Sequence, residues 1–434
     1  LSPSRIRRFM RNLGLSPTGL YWVRPDLINP QAYIPLDIQG TLGWYLRSVF
    51  TAPTAAVRLL ETGLHILAKF GHHPFAALAP CYALTAVAGP AGDASPSLLG
   101  HPALPSELRR SDLHPLVITH GKEDFRRVTV LPFAPDSDGP LAVLKLSRLP
   151  VYNDCTENEQ AILTRIHASV DETMRRTIPR PLGIIRSGKL AIGVESCAPG
   201  RSVANATTRW AVPLRRKIDD LRLGASWLAE FNSRVQIKRS QWADSDLDEW
   251  VEKPLGAYEQ TFGVTSGEER LFIATRERAS SLIGLPLPTV WVHWDFSEEN
   301  VFRAGRGITV IDWESGAPGP PLLDLLFFTT HWNYSARSLN SDAARLYAFR
   351  QLFCNSHRSD PASVAVREAI AEYMARLNID NRFFPLLLVL VWVVRALGRF
   401  PWQPGRSKNA RAGNRFVGYL GALAEDVERL FTST

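Results

Sequence analysis

The chain contains 434 residues, of which 45% are apolar and 21% charged, a composition typical of a soluble globular protein with two to three folded units. Its four cysteines lack CxxC spacing, which argues against a disulfide framework and favours reduced thiols in a cytoplasmic protein. The formal net charge of +8 permits anionic partners without requiring nucleic acid, and we predict no nucleic-acid partner.

The sequence shows no secretory signal, because its polar and basic start is not followed by a long apolar run. Two apolar runs, 76–91 and 383–394, contain proline and fall short of the roughly 20 residues that a membrane-spanning helix needs. The run 383–394 is therefore predicted to be a buried helix, whereas 76–91 is ambiguous.

Residues 1–110 are predicted to form an N-terminal extension of unknown function. Apolar residues of 54–70 recur at three- and four-residue steps, which predicts an amphipathic helix. Residues 91–105 are rich in Gly, Pro and Ser and form the predicted linker. The extension is interpreted as a segment that packs on the rest of the chain, or alternatively as a contact for a partner or a membrane surface.

Residues 111–200 are predicted to form a small lobe of antiparallel strands. Lys145 lies near the end of its third strand among apolar residues, and it needs an anionic partner if it is buried. Thr156 and Glu159 have the spacing of a capping box, which predicts that a helix begins there. Residues 201–434 then form a mostly helical large lobe.

Three polar residues in the large lobe form the candidate site. The carboxylate of Asp295 is followed by the carboxamide of Asn300 and then by a second carboxylate, Asp312. Between the last two lie two runs of β-forming residues around a Gly-rich turn, which predicts a hairpin. If the hairpin is symmetric about Arg306, Asn300 lies directly opposite Asp312, with Cβ atoms roughly 5 Å apart.

This arrangement predicts a divalent cation shared by Asn300 and Asp312. Oxygen ligands of this kind suit Mg²⁺, which takes the remainder of its shell from water and substrate phosphates. A loop carboxylate beside such a metal, here Asp295, can accept the proton of an attacking hydroxyl group. The three residues together predict phosphoryl transfer.

The same stretch resembles the catalytic segment of the aminoglycoside phosphotransferase and choline kinase group, which shares the protein-kinase fold. The residues that carry the resemblance are His293, Asp295, Asn300, Asp312, Trp313, Glu314, Gly319, Pro321, Asp324 and Leu325. The resemblance implies an α+β, two-lobed protein-kinase-like fold with a small antiparallel-sheet lobe and a mostly helical large lobe. One departure is Trp294, which occupies a position that is usually Gly in this group.

The resemblance also implies roles for residues outside the catalytic segment. Lys145 would form an ion pair with Glu159, with Glu157 as the competing partner, and would reach the α- and β-phosphates of ATP. The other residues implied in ATP binding are Gly121 in the turn over the phosphates, and Glu195 and Cys197 in the hinge that meets the adenine. His293 is expected to be structural, with its ring bonded to the backbone near the metal-binding strand. Asp324 is expected either to bond the backbone of the catalytic loop or to cap the next helix.

The predicted function is therefore an ATP- and Mg²⁺-dependent phosphotransferase acting on a hydroxyl group of a small molecule. The alternative is a catalytically silent kinase-like module used for binding or as a scaffold. Basic residues dominate after residue 381, including Arg406, Lys408 and Arg411 in a Gly/Pro-bounded loop. This loop is interpreted as a solvated basic surface, or as a rim for a neutral or anionic acceptor such as a sugar.

Overall fold

The computed structural model describes residues 3–49, 63, 81–88, 98–119, 123–209, 211–354, 360–398, 411 and 413–432. Four expectations lie outside these residues: the helix at 54–70 apart from residue 63, the first part of the linker, 91–97, the turn containing Gly121, and the loop containing Arg406 and Lys408. The chain divides into a sheet unit, Leu1–Thr164 with Pro179–Arg201, and a helical unit, Arg165–Ile178 with Ser202–Thr434.

The sheet unit is built on one eight-stranded sheet with the strand order β3-β1-β2-β4-β5-β6-β8-β7. All of its paired strands for which the register is defined are antiparallel. The strands are β1 (Leu15–Arg24), β2 (Ala32–Pro35), β3 (Tyr82–Ala88), β4 (His114–Ile118), β5 (Val128–Phe133), β6 (Val143–Leu146), β7 (Pro181–Ser187) and β8 (Leu190–Glu195). The helices of this part are α1 (Pro3–Asn12), α2 (Gln39–Ser48) and α3 (Asn153–Ser169), the last of which runs into the helical unit.

Three of these strands come from the predicted N-terminal extension. Strand β2 pairs with β4 through Ala32 opposite Ile118, so the extension and the small-lobe strands share one sheet. Trp22 and Ile34 lie in the same buried cluster as Phe133, because alternate side chains of each strand face one side of the sheet. The domain limits at residues 110 and 200 stay predictions.

The helical unit holds most of the remaining elements. Its short helices are α4 (Glu172–Arg175), α5 (Val203–Thr207), α7 (Asp244–Leu247) and α15 (Val427–Thr432). Its longer helices are α6 (Leu214–Arg234), α8 (Lys253–Phe262), α9 (Ser266–Ser281), α10 (Leu323–Ala336), α11 (Asp342–Phe349), α12 (Pro361–Leu377), α13 (Phe384–Ala396) and α14 (Arg415–Leu423). Its strands are β10 (Gln236–Gln241), β11 (Pro286–Val292), β12 (Val301–Ala304), β13 (Gly307–Val310) and β14 (Ala317–Gly319), and β9 (Arg201–Ser202) lies where the units divide.

The apolar run 383–394 forms most of α13, and every residue of that helix from Pro385 to Ala396 is buried. The prediction of a buried helix there is confirmed. Among the described residues, no helix combines the length and the apolar character needed to cross a membrane. The predicted α+β class, with an antiparallel-sheet lobe and a mostly helical lobe, is also confirmed.

Candidate active site

The hairpin between Asn300 and Asp312 forms, but its predicted register is wrong by one residue. Val301 pairs with Val310 and Ala304 with Gly307, so Asn300 stands opposite Ile311 rather than Asp312. The reason is the turn: only two residues connect the strands, and Gly305 has a φ of 61°. A glycine with positive φ at the first central position is typical of the type II′ turn that joins closely paired strands.

Asn300 is held against Asp295 by two hydrogen bonds. Its Nδ2 donates to the main-chain oxygen and to Oδ2 of Asp295, each at 2.9 Å. Both acceptors are oxygens that cannot donate, so the orientation of the carboxamide is fixed by chemistry. The Asn300 oxygen is therefore the atom left to accept a cation, as the predicted metal site requires.

Asp295 is a largely buried carboxylate among other charges. Burial raises the pKa of Asp295 to about 7, against the positive charge of Arg395, which lowers it. The negative charge of Asp312 raises the same pKa further, which places the two carboxylates within electrostatic reach of each other. Desolvated carboxyl groups with raised pKa values are characteristic of sites that move protons.

His293 connects the Asp295 loop to the end of the hairpin. The backbone N–H of Asp295 donates to His293 Nδ1 at 3.3 Å, so this nitrogen is the acceptor of a neutral imidazole. The opposite nitrogen, Nε2, then donates to the carbonyl oxygen of Ile311 at 2.9 Å. The expected structural role of His293 is confirmed, because its ring bonds the residue immediately before Asp312.

Trp294 has a φ of 65°, a left-handed conformation that is rare for a bulky side chain. Asp324 braces this residue: its carboxylate accepts the backbone N–H of His293 at 2.6 Å and that of Trp294 at 2.9 Å. Asp312 and Leu322 also have positive φ values, of 69° and 70°. Residues held in such conformations cluster at functional sites, where surrounding contacts must offset about 1–3 kcal/mol each.

A stack of aromatic rings supports this loop from within the helical unit. Trp227 on α6 stacks on Phe231 and Phe296, with ring centroids 5.1 and 5.9 Å apart. The His293 ring lies 4.5 Å from that of Trp313. These buried rings have few alternative rotamers in a close-packed core, so they fix the loop on which Asp295 stands.

In the sheet unit, Lys145 lies between two buried carboxylates. Its Nζ is 2.6 Å from Glu159 Oε1 and 2.9 Å from Glu195 Oε1. Arg127 forms a second ion pair with Glu159. Burial raises the pKa of Glu195, and the neighbouring Lys145 charge opposes that rise. The expected Lys145–Glu159 ion pair is present, whereas the competitor Glu157 pairs with Arg186 at the surface.

The side-chain contact of Glu195 was not predicted from the sequence. Glu195 ends β8, where its backbone is opposite Val143 of β6, and this register brings its side chain to Lys145 two residues further along β6. The hinge roles predicted for Glu195 and Cys197 stay predictions. Burial raises the pKa of Cys197 to about 12, so its thiol stays protonated.

Replacing Lys145 by Ala is expected to lower the free energy of unfolding by about 3–5 kcal/mol, because it leaves the buried Glu195 carboxylate without its ion-pair partner and leaves Glu159 paired with Arg127. Thermal and urea unfolding would measure the loss. The matched control is Lys253→Ala: Lys253 also contacts two carboxylates, but its side chain is 53% exposed, and its loss is expected to leave the Tm unchanged. Equal losses of stability in the two variants would contradict a stabilising role for the buried ion pairs of Lys145.

Two arginines of the helical unit, Arg395 and Arg415, form a cationic cluster that was not predicted from the sequence. Arg395 on α13 is buried, with its guanidinium carbon 3.5 Å from the centre of the Phe327 ring. Burial lowers the pKa of Arg395 to about 10, while Asp295 and Asp324 oppose that change. Arg395 and Asp295 lie about 100 positions apart in the sequence, and local sequence patterns do not show that two such distant residues are close in the fold.

His331 lies in this cluster and accepts a hydrogen bond on Nε2 from the Arg415 side chain at 3.1 Å. Burial holds the pKa of His331 well below its usual value, and the charge of Arg415 lowers it further. The unfolded chain therefore takes up the proton first as the pH falls. The stability that the neutral imidazole contributes is retained above the ordinary histidine pKa of 6.5 and lost progressively below it.

Replacing His331 by Gln, which keeps a hydrogen-bond acceptor for Arg415, is expected to remove this acid sensitivity. Relative to the His331→Gln variant, the parent chain should lose about 1.4 kcal/mol of unfolding free energy per pH unit below about 6.5. Urea unfolding at about pH 7, 6 and 5 gives the comparison on both sides of that value. Parallel losses in the two proteins would show that His331 does not titrate on unfolding.

The basic loop predicted near residue 411 is described only in part. Arg411 donates to both carboxylate oxygens of Glu268 and to the carbonyl oxygen of Gly263 at 2.9 Å. The Arg411 side chain is thus engaged in a structural ion pair.

In the described ranges, no group of three or more His, Cys, Asp or Glu side chains forms a metal site, and the predicted site relies on one carboxylate and one carboxamide.

Comparison with known proteins identifies the family. The model of the phosphotransferase enzyme family, APH, matches residues 136–365, more than half of the chain. No curated protein sequence matches. A glucosamine kinase structure shares 14% identity over 71% of this chain and 88% of its own, with a TM-score of 0.40. An amicoumacin kinase in complex with AMP-PNP, Ca²⁺ and Ami shares 13% over 75% and 89%, with a TM-score of 0.42.

A putative fructosamine-3-kinase from Thermobifida fusca shares 15% identity over 73% of this chain and 93% of its own, with a TM-score of 0.39. These structural likenesses are too distant to carry an argument about function. The family therefore rests on the match over residues 136–365.

Proposed function

This chain belongs to the phosphotransferase enzyme family, and on that premise we propose that it transfers the terminal phosphoryl group of ATP, with Mg²⁺, to a hydroxyl group of a small molecule. It is a phosphotransferase of the protein-kinase-like fold. The observation that carries the proposal is the fixed pairing of Asn300 with Asp295 in the loop that leads to the Asp312 hairpin. This places a candidate base and two oxygen ligands in one short segment.

The residues present fit a magnesium ion. The Asn300 oxygen is left as an acceptor once its Nδ2 bonds Asp295, and Asp312, two residues after the end of β13, supplies a carboxylate oxygen. Two protein ligands are the usual contribution where phosphates and water complete the shell of Mg²⁺. When bound, the metal would neutralise charge on the phosphates, and Asn300 and Asp312 would hold it.

In the proposed reaction, the acceptor hydroxyl attacks the γ-phosphorus of ATP. A new bond forms between the acceptor oxygen and phosphorus, the bond between phosphorus and the β,γ-bridging oxygen breaks, and ADP leaves. Asp295 accepts the hydroxyl proton on its carboxylate. The hydrogen bond from Asn300 Nδ2 to Oδ2 orients that carboxylate, and the raised pKa of Asp295 gives it the affinity for a proton that a general base needs.

Lys145 is proposed to bind the α- and β-phosphates. Its Nζ is held by Glu159 and Glu195, so a flexible ammonium group is fixed in one position before the nucleotide arrives. Such a fixed cation costs less ordering on binding than a free side chain. Gly121, Glu195 and Cys197 are proposed to complete the nucleotide contacts through backbone groups.

The acceptor is proposed to be a neutral or anionic compound such as a sugar. The supporting observation is the positive charge of Arg395, which acts on Asp295, together with that of Arg415, which acts on Arg395. Both charges would repel a polycation. The test incubates the protein with γ-labelled ATP and either a metabolite extract or kanamycin, with and without Mg²⁺.

We expect labelled organic phosphate from the extract, only when Mg²⁺ is present, and little transfer to kanamycin. Efficient transfer to kanamycin would refute the acceptor class while leaving the kinase activity in place. Metal-independent transfer, or no nucleotide binding at all, would refute the proposed function itself.

A further inference from the structure

The N-terminal helix α1 is fixed to the sheet unit along one side. It packs on β1, and Arg7 forms an ion pair with Asp37. The other oxygen of Asp37 accepts the backbone N–H of Leu20 in β1 at 2.8 Å. One carboxylate therefore joins the helix to the strand, which determines which helix residues face outward.

The outward residues combine cations with apolar side chains. Arg5, Arg8 and Arg11 are exposed, and Phe9 and Leu13 are 62% and 60% exposed. Arg5, Phe9 and Leu13 follow one another at four-residue steps, which places them along one side of a helix. Within the described part of the chain, none of these three arginines lies within ion-pair distance of a carboxylate.

The sequence around α1 carries charge of one sign. The first 25 residues include five arginines, and the first acidic residue of the chain is Asp26. The single basic residue of α1 with an acidic partner among the described residues is Arg7, whose partner Asp37 comes from the turn after β2. The exposed face is therefore suited to a surface of negative charge.

We propose that this face, formed by Arg5, Arg8, Phe9 and Arg11 of α1 and by Leu13 directly after it, binds the surface of an anionic lipid bilayer. A helix of this kind lies in the interface plane, with guanidinium groups at the lipid headgroups and apolar side chains at the acyl boundary. Nucleic acid would use the arginines and could stack on Phe9, but it offers no apolar environment for Leu13. The exposed apolar pair therefore favours the bilayer.

The experiment is co-sedimentation of the full chain with vesicles at low salt. One set of vesicles is phosphatidylcholine alone, and the other contains about 30% phosphatidylglycerol, which supplies the negative surface potential. Binding is expected only to the anionic vesicles and should be released by about 0.5 M NaCl, since the arginine contribution is electrostatic. No binding to anionic vesicles, or equal binding to both sets, overturns the proposal.

Two variants separate the contributions. Replacing Arg5, Arg8 and Arg11 by Ser should weaken binding on the order of 100-fold, from roughly a factor of five for each lost cation near the membrane. Replacing Phe9 and Leu13 by Ser should weaken it by at least about tenfold. All five side chains are exposed, so we expect unchanged far-ultraviolet circular dichroism and Tm.

Matched controls test whether location matters. Replacing three exposed arginines of the helical unit, Arg215, Arg270 and Arg376, changes the net charge by the same amount and should leave binding intact. Replacing Leu27 and Ile28, which are 58% and 80% exposed in the β1–β2 loop, matches the apolar change. The proposal is overturned if these controls weaken binding as much as the α1 variants do. It is also overturned if single-stranded DNA binds as tightly as the vesicles and is insensitive to the loss of Phe9 and Leu13.

Discussion

Replacing Asp295 by Asn is expected to lower the turnover number by a factor of about 10² or more, the scale of a lost general base. The substitution keeps an oxygen that can accept the bond from Asn300 Nδ2, so the loop geometry should persist. It also removes a partly buried negative charge that interacts unfavourably with the charge of Asp312, so stability should be unchanged or slightly higher. Steady-state kinetics with an ADP-release assay and thermal unfolding would measure the two effects.

A neighbouring carboxylate supplies the control for this experiment. Glu299 lies in the same segment and is exposed, so Glu299→Gln should leave turnover within about twofold of the parent. Calorimetric titration with ATP and Mg²⁺ should give similar affinities for the parent and for both variants. Near-normal transfer by the Asp295→Asn protein would mean that the base lies elsewhere.

Replacing Asp324 by Ala is expected to destabilise the protein by about 4 kcal/mol. The carboxylate accepts two consecutive backbone N–H groups, from His293 and Trp294, and each buried N–H left without a partner costs about 1–3 kcal/mol. Urea unfolding followed by fluorescence gives the free energy. The matched variant Asp324→Asn keeps one acceptor oxygen and should lose less, so equal losses would exclude the hydrogen bonds as the cause.

The conformation of Trp294 allows a sharper test. If Asp324 imposes the left-handed φ, then Trp294→Gly should relieve strain of about 1–3 kcal/mol when Asp324 is present. In the Asp324→Ala protein the backbone can relax, and the same substitution should stabilise less. The flexibility that glycine adds to the unfolded chain is common to both backgrounds and cancels in the double-mutant cycle. An additive cycle would show that other contacts set the φ of Trp294.

The contacts that sequence reasoning predicted are those of short range or of strong family pattern. The positions of Asp295, Asn300 and Asp312 in one loop and hairpin follow from local β-forming runs and a turn. The register of that hairpin did not follow, because it depends on whether the turn spans two or three residues. The structure has the two-residue turn, with a φ of 61° at Gly305. The residue type alone could not select it, because glycine is compatible with either turn length.

Contacts between distant segments could not be predicted. Glu195 contacts Lys145 because β6 and β8 are neighbours in the sheet. The sequence of neither strand shows which strand will pair with it. Arg395 comes near Asp295 only through the packing of α13 in the helical unit. The N-terminal strands were missed for a similar reason, since an irregular-looking sequence rich in Pro, Trp and Tyr gains its strand structure by pairing with β4.

The place of the N-terminal strands in the sheet bears on any attempt to shorten the protein. A chain that began at residue 111 would keep every predicted site residue, but β4 would lose β2 and present a row of unpaired N–H and C=O groups. It would also uncover Leu116 and Phe133, which lie in one buried cluster with Trp22 and Ile34. An open, apolar strand edge recruits other strands, so such a fragment should associate with itself and precipitate. The N-terminal strands thus serve as a cover against aggregation at that edge.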